Sequence, residues 1–386
     1  MKAIVFHKPN DMRYENVPDP KIEAPTDVIL RVTSTAICGS DLHIYNGYFP
    51  HVENMVMGHE FMGVIEEVGS GVKKLSKGDR VVIPFVIACG SCWFCVHSFP
   101  TGCETTNPSN YGPEGGILKE KGGGLFGFTN LYGGYSGGQA EYVRVPFADV
   151  GAQLVPEDLS DEQVLFLSDI LPTAYTALQW AEVKEGESVA IFGSGPVGLM
   201  AQKLARLMGA SKVIAIDPQD YRLAMATQAG HATHTINPDK MNPVDMIREF
   251  TSGRGADVCI DAVGMEAKRN VLEKASNVLH GQGGTSKVVE TAMSAVRRSG
   301  RVSVMGVYGT KYDSFNLAQF FDKNITMKMG QAWVHNFNHE LLGFIRSGRI
   351  HANDIITHRI PLSEAPKAYG TFNRKEDNCV KVVMTP

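Results

Sequence analysis

Ser188-Val-Ala-Ile-Phe192-Gly193-Ser-Gly195-Pro-Val-Gly198 is the stretch whose reading decides the fold. A short apolar run meets a glycine turn, and an amphipathic helical pattern then continues through Met208. A second apolar run, Lys212 to Ile216, ends on Asp217. Strand, glycine trio, helix, strand and terminal acid, in that order, form the arrangement that holds a dinucleotide. Gly193 makes the turn, Gly195 clears space for a pyrophosphate, and Gly198 lets helix and strand pack. The phosphate then rests at the positive end of a helix. Asp217 would bind both ribose hydroxyls and repel a 2′-phosphate, which favours NAD over NADP. Its competing role is a helix cap ahead of Pro218.

Alternation continues outward from this core. Helical patterns cover Asp220 to Ala229, Pro243 to Thr251 and Thr285 to Arg298, and strand-like runs cover Asp257 to Val263 and Arg301 to Val307. Such alternation implies a parallel sheet with helices on both faces. The polar run from Gly264 to Gly284 is longer than a tight connection needs, and reads as an excursion near the cofactor or as an exposed helix and loop. Phe315 to Phe321 and Asn338 to Ile345 read as helices, and Cys379 to Met384 as a strand returning to the first domain. Upstream, helices over Ser160 to Leu167 and Thr173 to Ala181 are interrupted by Ser168-Asp-Ile-Leu-Pro-Thr173.

The first 150 residues read as mostly β. Met1 to Asn10, Asp27 to Ala36, Phe61 to Val68, Asp79 to Val86 and Gln139 to Val145 are strand-like, and Gly69-Ser-Gly71 and Lys77-Gly-Asp79 are turns. The chain of 386 residues exceeds one ordinary domain, and 43% hydrophobic with 20% charged residues describes a globular protein. A formal charge of -4 without a strongly basic run speaks against nucleic acid as a partner. The N-terminus lacks a secretory h-region and no apolar run spans a bilayer, so a cytoplasmic location without membrane partners is expected.

Chemistry gathers in three places. Cys38-Gly39-Ser40-Asp41-Leu42-His43 and Gly58-His59-Glu60 supply a thiol and imidazoles suited to the rim of a zinc site, which needs at least one more ligand from elsewhere. Cys89-Gly-Ser-Cys92-Trp-Phe-Cys95, followed by Cys103, has the spacing of a closed four-sulfur zinc site, whose role is structural because it has no vacancy for substrate. Cys259 and Cys379 read as core or near-core thiols. The glycine-rich, aromatic stretch Gly112 to Gly138, with Phe126, Phe128, Tyr132 and Tyr135, is either a lobe over the active site or a surface loop folded on its own aromatics. The latter is the simpler expectation.

Taken together, the chain resembles the zinc-dependent, medium-chain alcohol dehydrogenase superfamily over essentially its whole length, and within it the formaldehyde dehydrogenase and dismutase-like branch. Cys38 to His43, Gly58 to Glu60, the four-cysteine lobe, Leu167-Ser-Asp-Ile-Leu-Pro-Thr173 and Gly193 to Gly198 carry the likeness. It implies an α/β protein: a mostly-β GroES-like catalytic domain over residues 1–165, a Rossmann domain with a doubly wound parallel sheet over 166–333, and a return segment over 334–386. It implies one catalytic and one structural zinc per chain, NAD, a small alcohol or aldehyde substrate, and a homo-oligomer, tetramer or dimer.

The same resemblance implies a catalytic zinc held by Cys38, His59 and Asp169. The carboxylate stands where many members carry a cysteine, and it leaves the metal a harder Lewis acid. It implies Glu60 as an occasional ligand and Asp41 as the acid that orients His59. Ser40 would pass the alcohol proton outward and His43 deliver it to water. Phe85 matches a pocket wall. Thr173, Val197 and Gly306 match residues lining the nicotinamide, Arg222 a basic residue beside the adenosine ribose, and Lys381 one near the pyrophosphate. Gly39 departs from relatives that carry a phosphate-binding side chain there.

The expected activity is hydride transfer between a small primary alcohol or hydrated aldehyde, of formaldehyde type, and NAD. A second reading retains NAD through the cycle and dismutes aldehydes, motivated by the Gly264 to Gly284 excursion. A third is no enzyme: a zinc-ribbon interaction module fused to a redox-sensing nucleotide domain.

Overall fold

The strand Val28–Ile37 organises the N-terminal part of the chain. A computed structural model describes residues 1–49, 52, 54–107, 122–228, 231–264, 285–308, 315 and 317–386. In it this strand runs antiparallel to Glu60–Val68 along one edge, and to Tyr142–Val145 and Val382–Thr385 along the other. The path across the sheet is Gln153–Leu154, Arg80–Ile83, Glu60–Val68, Val28–Ile37, Val382–Thr385 and His358–Pro361. Register matters more here than strand count. Ala36 faces Glu60 on one side and Val383 on the other, and Ile37 faces Val382. Cys38, the His59-Glu60 pair and Lys381 therefore emerge at the same end of three adjacent strands.

Alternation along these strands builds two cores. Val28, Leu30, Val32, Phe61, Ile65, Val81, Ile83 and Phe126 are buried on one side, while Ile37, Leu42, Ile44, Met57, Tyr369 and Met384 are buried in another cluster. Each large side chain contributes roughly 1.5–3 kcal/mol by leaving water, so the strand ends that carry the reactive groups are held from both faces.

This compact unit comprises Met1–Pro172 and Trp333–Pro386, and the second is Thr173–Ala332. The first unit runs past residue 165, so Asp169 stays with Cys38 and His59. The interruption expected over Ser168 to Thr173 contracts to one residue. A 3-10 turn, Leu165–Ser168, gives way at Asp169 (φ -154°, ψ -77°) to the helix Ile170–Trp180. Pro172 is tolerated because it lies in the first turn, where a missing N–H leaves no helical bond unmade.

The second unit is a parallel sheet in the order His234–Ile236, Lys212–Ile216, Ser188–Phe192, Ala256–Asp261, Val296–Val304, Thr326–Met329. Chain order reverses direction on either side of Ser188–Phe192, which creates a crevice at the carboxyl ends of that strand and Ala256–Asp261.

Some boundaries differ from expectation. The helix expected to reach Arg298 is Lys287–Ala295, and the chain enters its strand at Val296, where Arg297 ties to Asp257 at 2.6 Å. The run Asp79 to Val86 divides into Arg80–Ile83 and Val86–Ile87, because Pro84 has no N–H to pair and the Phe85 amide donates to Ser168 O at 2.9 Å. Residues 265–284, the proposed excursion, lie outside the described residues. No described helix is long and apolar enough to cross a membrane.

Candidate functional site

Asp169, at the junction between the 3-10 turn and the helix, points its carboxylate at the two residues delivered by the sheet register. Its Oδ2 lies 3.2 Å from Cys38 Sγ and 3.3 Å from His59 Nε2. One ligand atom from each of Cys38, His59, Glu60 and Asp169 falls within a group spanning at most 4.8 Å, and all four residues are buried. Ser40 places its hydroxyl 3.0 Å from the same His59 nitrogen.

The other ring nitrogen, Nδ1, lies 3.1 Å from Asp41 Oδ1. Asp41 is itself fixed: its Oδ2 accepts from the Cys38 amide at 2.9 Å and from Gln139 Nε2 at 3.3 Å, and Tyr369 donates its hydroxyl to Gln139 Oε1 at 2.8 Å. Asp41 thus has the geometry of the residue that turns Nε2 toward a metal. No spacing in the sequence connects Gln139 or Tyr369 to the cysteine loop. The run Gly137-Gly138 before Gln139 was the available hint. Side chains there would collide with Met57, Gly58 and Phe61, so the chain passes tight against the site.

Electrostatics favour a cation. Burial, with the Asp169 and Glu60 carboxylates nearby, pushes the Cys38 thiol up to about 12. Burial opposes a charged His59, yet Asp41, Cys38 and Asp169 outweigh it and hold the imidazole well above its ordinary value. Without a metal the cluster draws positive charge onto the ring. Glu60 Oε2 is buried with no hydrogen-bond partner among the described residues. Thiolate, imidazole and carboxylate oxygen are zinc donors, so donor set and charge both fit that ion.

Aromatic rings close over His59. Phe85 and Phe128 approach it edge-on, with centroids at 6.1 and 6.3 Å, and Phe49 packs on Phe128 at 5.2 Å. The simpler expectation for the glycine-rich stretch is thereby corrected for its described part: Phe128 faces the site rather than only its own loop. Phe126 goes the other way, onto Phe61. His43 is also corrected. It is 4% exposed and packed against Tyr48 and Phe49, so it does not hand a proton directly to bulk water. Lys381 is a third correction. Its ammonium is wholly buried, 2.6 Å from Glu60 Oε1 and 3.0 Å from Ile37 O. A pyrophosphate contact would require breaking that pair. Burial disfavours its charge, but Glu60, Cys38 and Asp169 offset this and raise its basicity.

Cys89, Cys92, Cys95 and Cys103 converge separately. Cys89 and Cys95 sulfurs lie 3.9 Å apart, as do those of Cys92 and Cys103, and all four lie within 4.8 Å of one another. These separations exceed the ~2.05 Å of a disulfide. They approach the roughly 3.8 Å edge of a sulfur tetrahedron with ~2.3 Å bonds to zinc. Burial works against a Cys89 thiolate, but the Thr105 hydroxyl and the Ser91 and Cys92 amides lower it to about 5.

In the second unit, Gly193 takes φ +94°, open to glycine, and a Cβ on Gly198 would meet Gly193 O at 1.9 Å. Gly195 begins the helix Pro196–Leu207 without a side-chain cap, leaving its first amides for an anion. Asp217 Oδ2 accepts from Ser194 N and Oδ1 from Gln219 N, both at 2.8 Å. It thus braces the glycine turn and caps the turn that follows its own strand. Arg222 Nη1 sits 3.8 Å from Asp217. Val197 and Gly306 are half-buried and Thr173 is buried on its helix. These residues fit a dinucleotide.

Family models match the chain at residues 24–155, as the alcohol dehydrogenase GroES-like domain, and at residues 196–285, as zinc-binding dehydrogenase. An uncharacterized zinc-type alcohol dehydrogenase-like protein of Bacillus subtilis (strain 168) is 42% identical over 389 residues, covering 100% of both chains. The glutathione-independent formaldehyde dehydrogenase of Pseudomonas aeruginosa is 34% identical over 401 residues, covering 96% of this chain and 94% of its own. The alcohol dehydrogenase of Thermus sp. ATN1 superposes with a TM-score of 0.85 at 37% identity, covering 100% and 99% of the two chains.

Proposed function

Because the chain belongs to the zinc-type alcohol dehydrogenase family, we propose that it oxidises small primary alcohols or hydrated aldehydes of formaldehyde type, reversibly, with NAD. The observation that carries this reading is the convergence of Cys38 Sγ and His59 Nε2 on one Asp169 oxygen, at 3.2 and 3.3 Å, beside the Ser40 hydroxyl. In it, Cys38, His59 and Asp169 hold zinc, with Glu60 in reserve, and Cys89, Cys92, Cys95 and Cys103 hold a second, structural zinc. When bound, zinc supplies Lewis acidity to a substrate oxygen and NAD supplies the hydride acceptor.

The chain's own residues do the rest. Ser40 is half-buried, on the side of His59 that faces the ligand group, and there its hydroxyl takes up the substrate proton. His43, three positions along the same helix, receives that proton within an aromatic shell. Asp41 keeps the His59 ring oriented, and Phe85 and Phe128 exclude water around it. Gly193, Gly195 and Gly198 admit the pyrophosphate, and Asp217 and Arg222 select the ribose end. Thr173, Val197 and Gly306 line the nicotinamide. The carboxylate at 169, a harder donor than a thiolate, supports a small, hydrated substrate.

The test is nicotinamide absorbance with formaldehyde, methanol, ethanol and longer alcohols, each with NAD and with NADP. The expected result is turnover with NAD and the shortest substrates. Turnover confined to NADP, or to long or secondary alcohols, would contradict it.

A further inference from the structure

We propose that Asp261 is a positioning residue for the nicotinamide half of the dinucleotide, its buried carboxylate and the Tyr308 hydroxyl clamping the exits of two neighbouring strands together. The inference rests on the dinucleotide reading of the second unit.

Asp261 ends the strand Ala256–Asp261 and is 0% exposed. In the sheet it stands between Phe192 and Val304, at the carboxyl ends where the crevice opens. Its Oδ1 accepts from the Val263 and Gly264 amides, both at 2.9 Å, and its Oδ2 from the Tyr308 hydroxyl at 2.6 Å. Its backbone carbonyl accepts from the Met305 and Gly306 amides, both at 2.9 Å. One residue thus ties two loops to each other. Burial pushes this carboxyl above its ordinary value, while the Gly264 amide, the Tyr308 hydroxyl and the Val263 amide hold it back.

The clamped loops leave no room between them. A Cβ on Gly264 (φ +69°) would stand 2.5 Å from Val307 N, and one on Gly306 2.1 Å from Gly264 N. On the opposite side, a Cβ on Gly193 would meet Val263 Cγ2 at 2.8 Å, and the Ala262 amide donates to Phe192 O at 2.9 Å. The clamp therefore backs the glycine turn as well as Gly306, and a shift in residues 262–264 is felt by both.

Strand order says which half of the dinucleotide this serves. Asp217 lies on the side of Ser188–Phe192 that continues to Lys212–Ile216 and His234–Ile236, whereas Asp261 and Tyr308 follow Ala256–Asp261 and Val296–Val304 on the other side. A dinucleotide lies across such a crevice with one mononucleotide on each half of the sheet. With the adenosine ribose at Asp217, the nicotinamide falls to the half that Asp261 holds.

Calorimetric titration with NADH and with ADP-ribose, which lacks the nicotinamide, separates positioning from general damage. In Asp261→Ala, NADH affinity is expected to fall by at least about tenfold, and in Tyr308→Phe by about three- to tenfold, with ADP-ribose affinity and metal content at the wild-type values. Asp261→Asn should stay within about twofold of wild type, because its amide oxygen accepts from Val263 and Gly264 while its nitrogen donates to the Tyr308 oxygen. Tyr308→Phe leaves every one of these backbone bonds in place, so it carries the test should Asp261→Ala not fold. Unchanged NADH affinity in Tyr308→Phe, equal weakening of NADH and ADP-ribose, or a loss in Asp261→Asn as large as in Asp261→Ala would overturn the inference. A wild type that binds neither NADH nor ADP-ribose would overturn the dinucleotide reading beneath it.

Discussion

Cys38 Sγ and Asp169 Oδ2 lie 3.2 Å apart although 131 positions separate them in the chain. Two local events bring them together. The strand Val28–Ile37 ends one residue before Cys38, and the helical path breaks for one residue at Asp169. His59 arrives from the neighbouring strand to complete the group, with Nε2 3.3 Å from the same carboxylate oxygen.

Asp41→Asn should weaken metal binding rather than abolish it. The carboxylate lies 3.1 Å from His59 Nδ1 and is braced by Gln139. An amide retains the shape while losing the charge that favours Nε2 as the ligand atom. Chelator competition should show a loss of about 10–100-fold in metal affinity. Tyr369→Phe, which removes only the far hydrogen bond to Gln139, should cost about 1 kcal/mol of stability in denaturant titration.

Gly198→Ala should damage the nucleotide turn and spare the metal. Its Cβ would stand 1.9 Å from Gly193 O, and that contact involves backbone that cannot rotate away. NADH affinity, followed by fluorescence, should fall by at least about tenfold while metal content stays at the wild-type value.

Acid stability should depend on His335. Both its ring nitrogens are buried without partners among the described residues, and burial lowers the imidazole to about 4. An unfolded histidine takes up a proton near pH ~6.5, whereas the folded one resists until much lower pH. Its contribution is therefore complete above pH ~6.5 and is lost as pH falls toward 4, with a slope near 1.4 kcal/mol per unit. In denaturant titrations between those limits, His335→Leu should flatten the pH dependence relative to wild type.

Much of this arrangement could be read from residues in order. Ser188–Phe192 and Lys212–Ile216 matched their expected limits because glycines and charged residues bound them tightly. The cysteine lobe was legible because its ligands are close neighbours in the chain. Strands such as Thr326–Met329, exposed along its whole length, were not, since an edge strand has no buried face to impose alternation. Lys381 shows a different limit. Its place near a phosphate rested on likeness, while its partner is fixed by pairing between strands more than 300 positions apart. The Gln139–Tyr369 bond is of the same kind, as contacts across 230 positions leave no local signal.

Zinc content of purified wild type and Asp169→Ala, measured per chain alongside folding, tests the central claim most directly. The account predicts two equivalents in the wild type and one in the variant, with alcohol turnover lost and the cysteine lobe still loaded. A folded Asp169→Ala protein that keeps both equivalents and full turnover would contradict it.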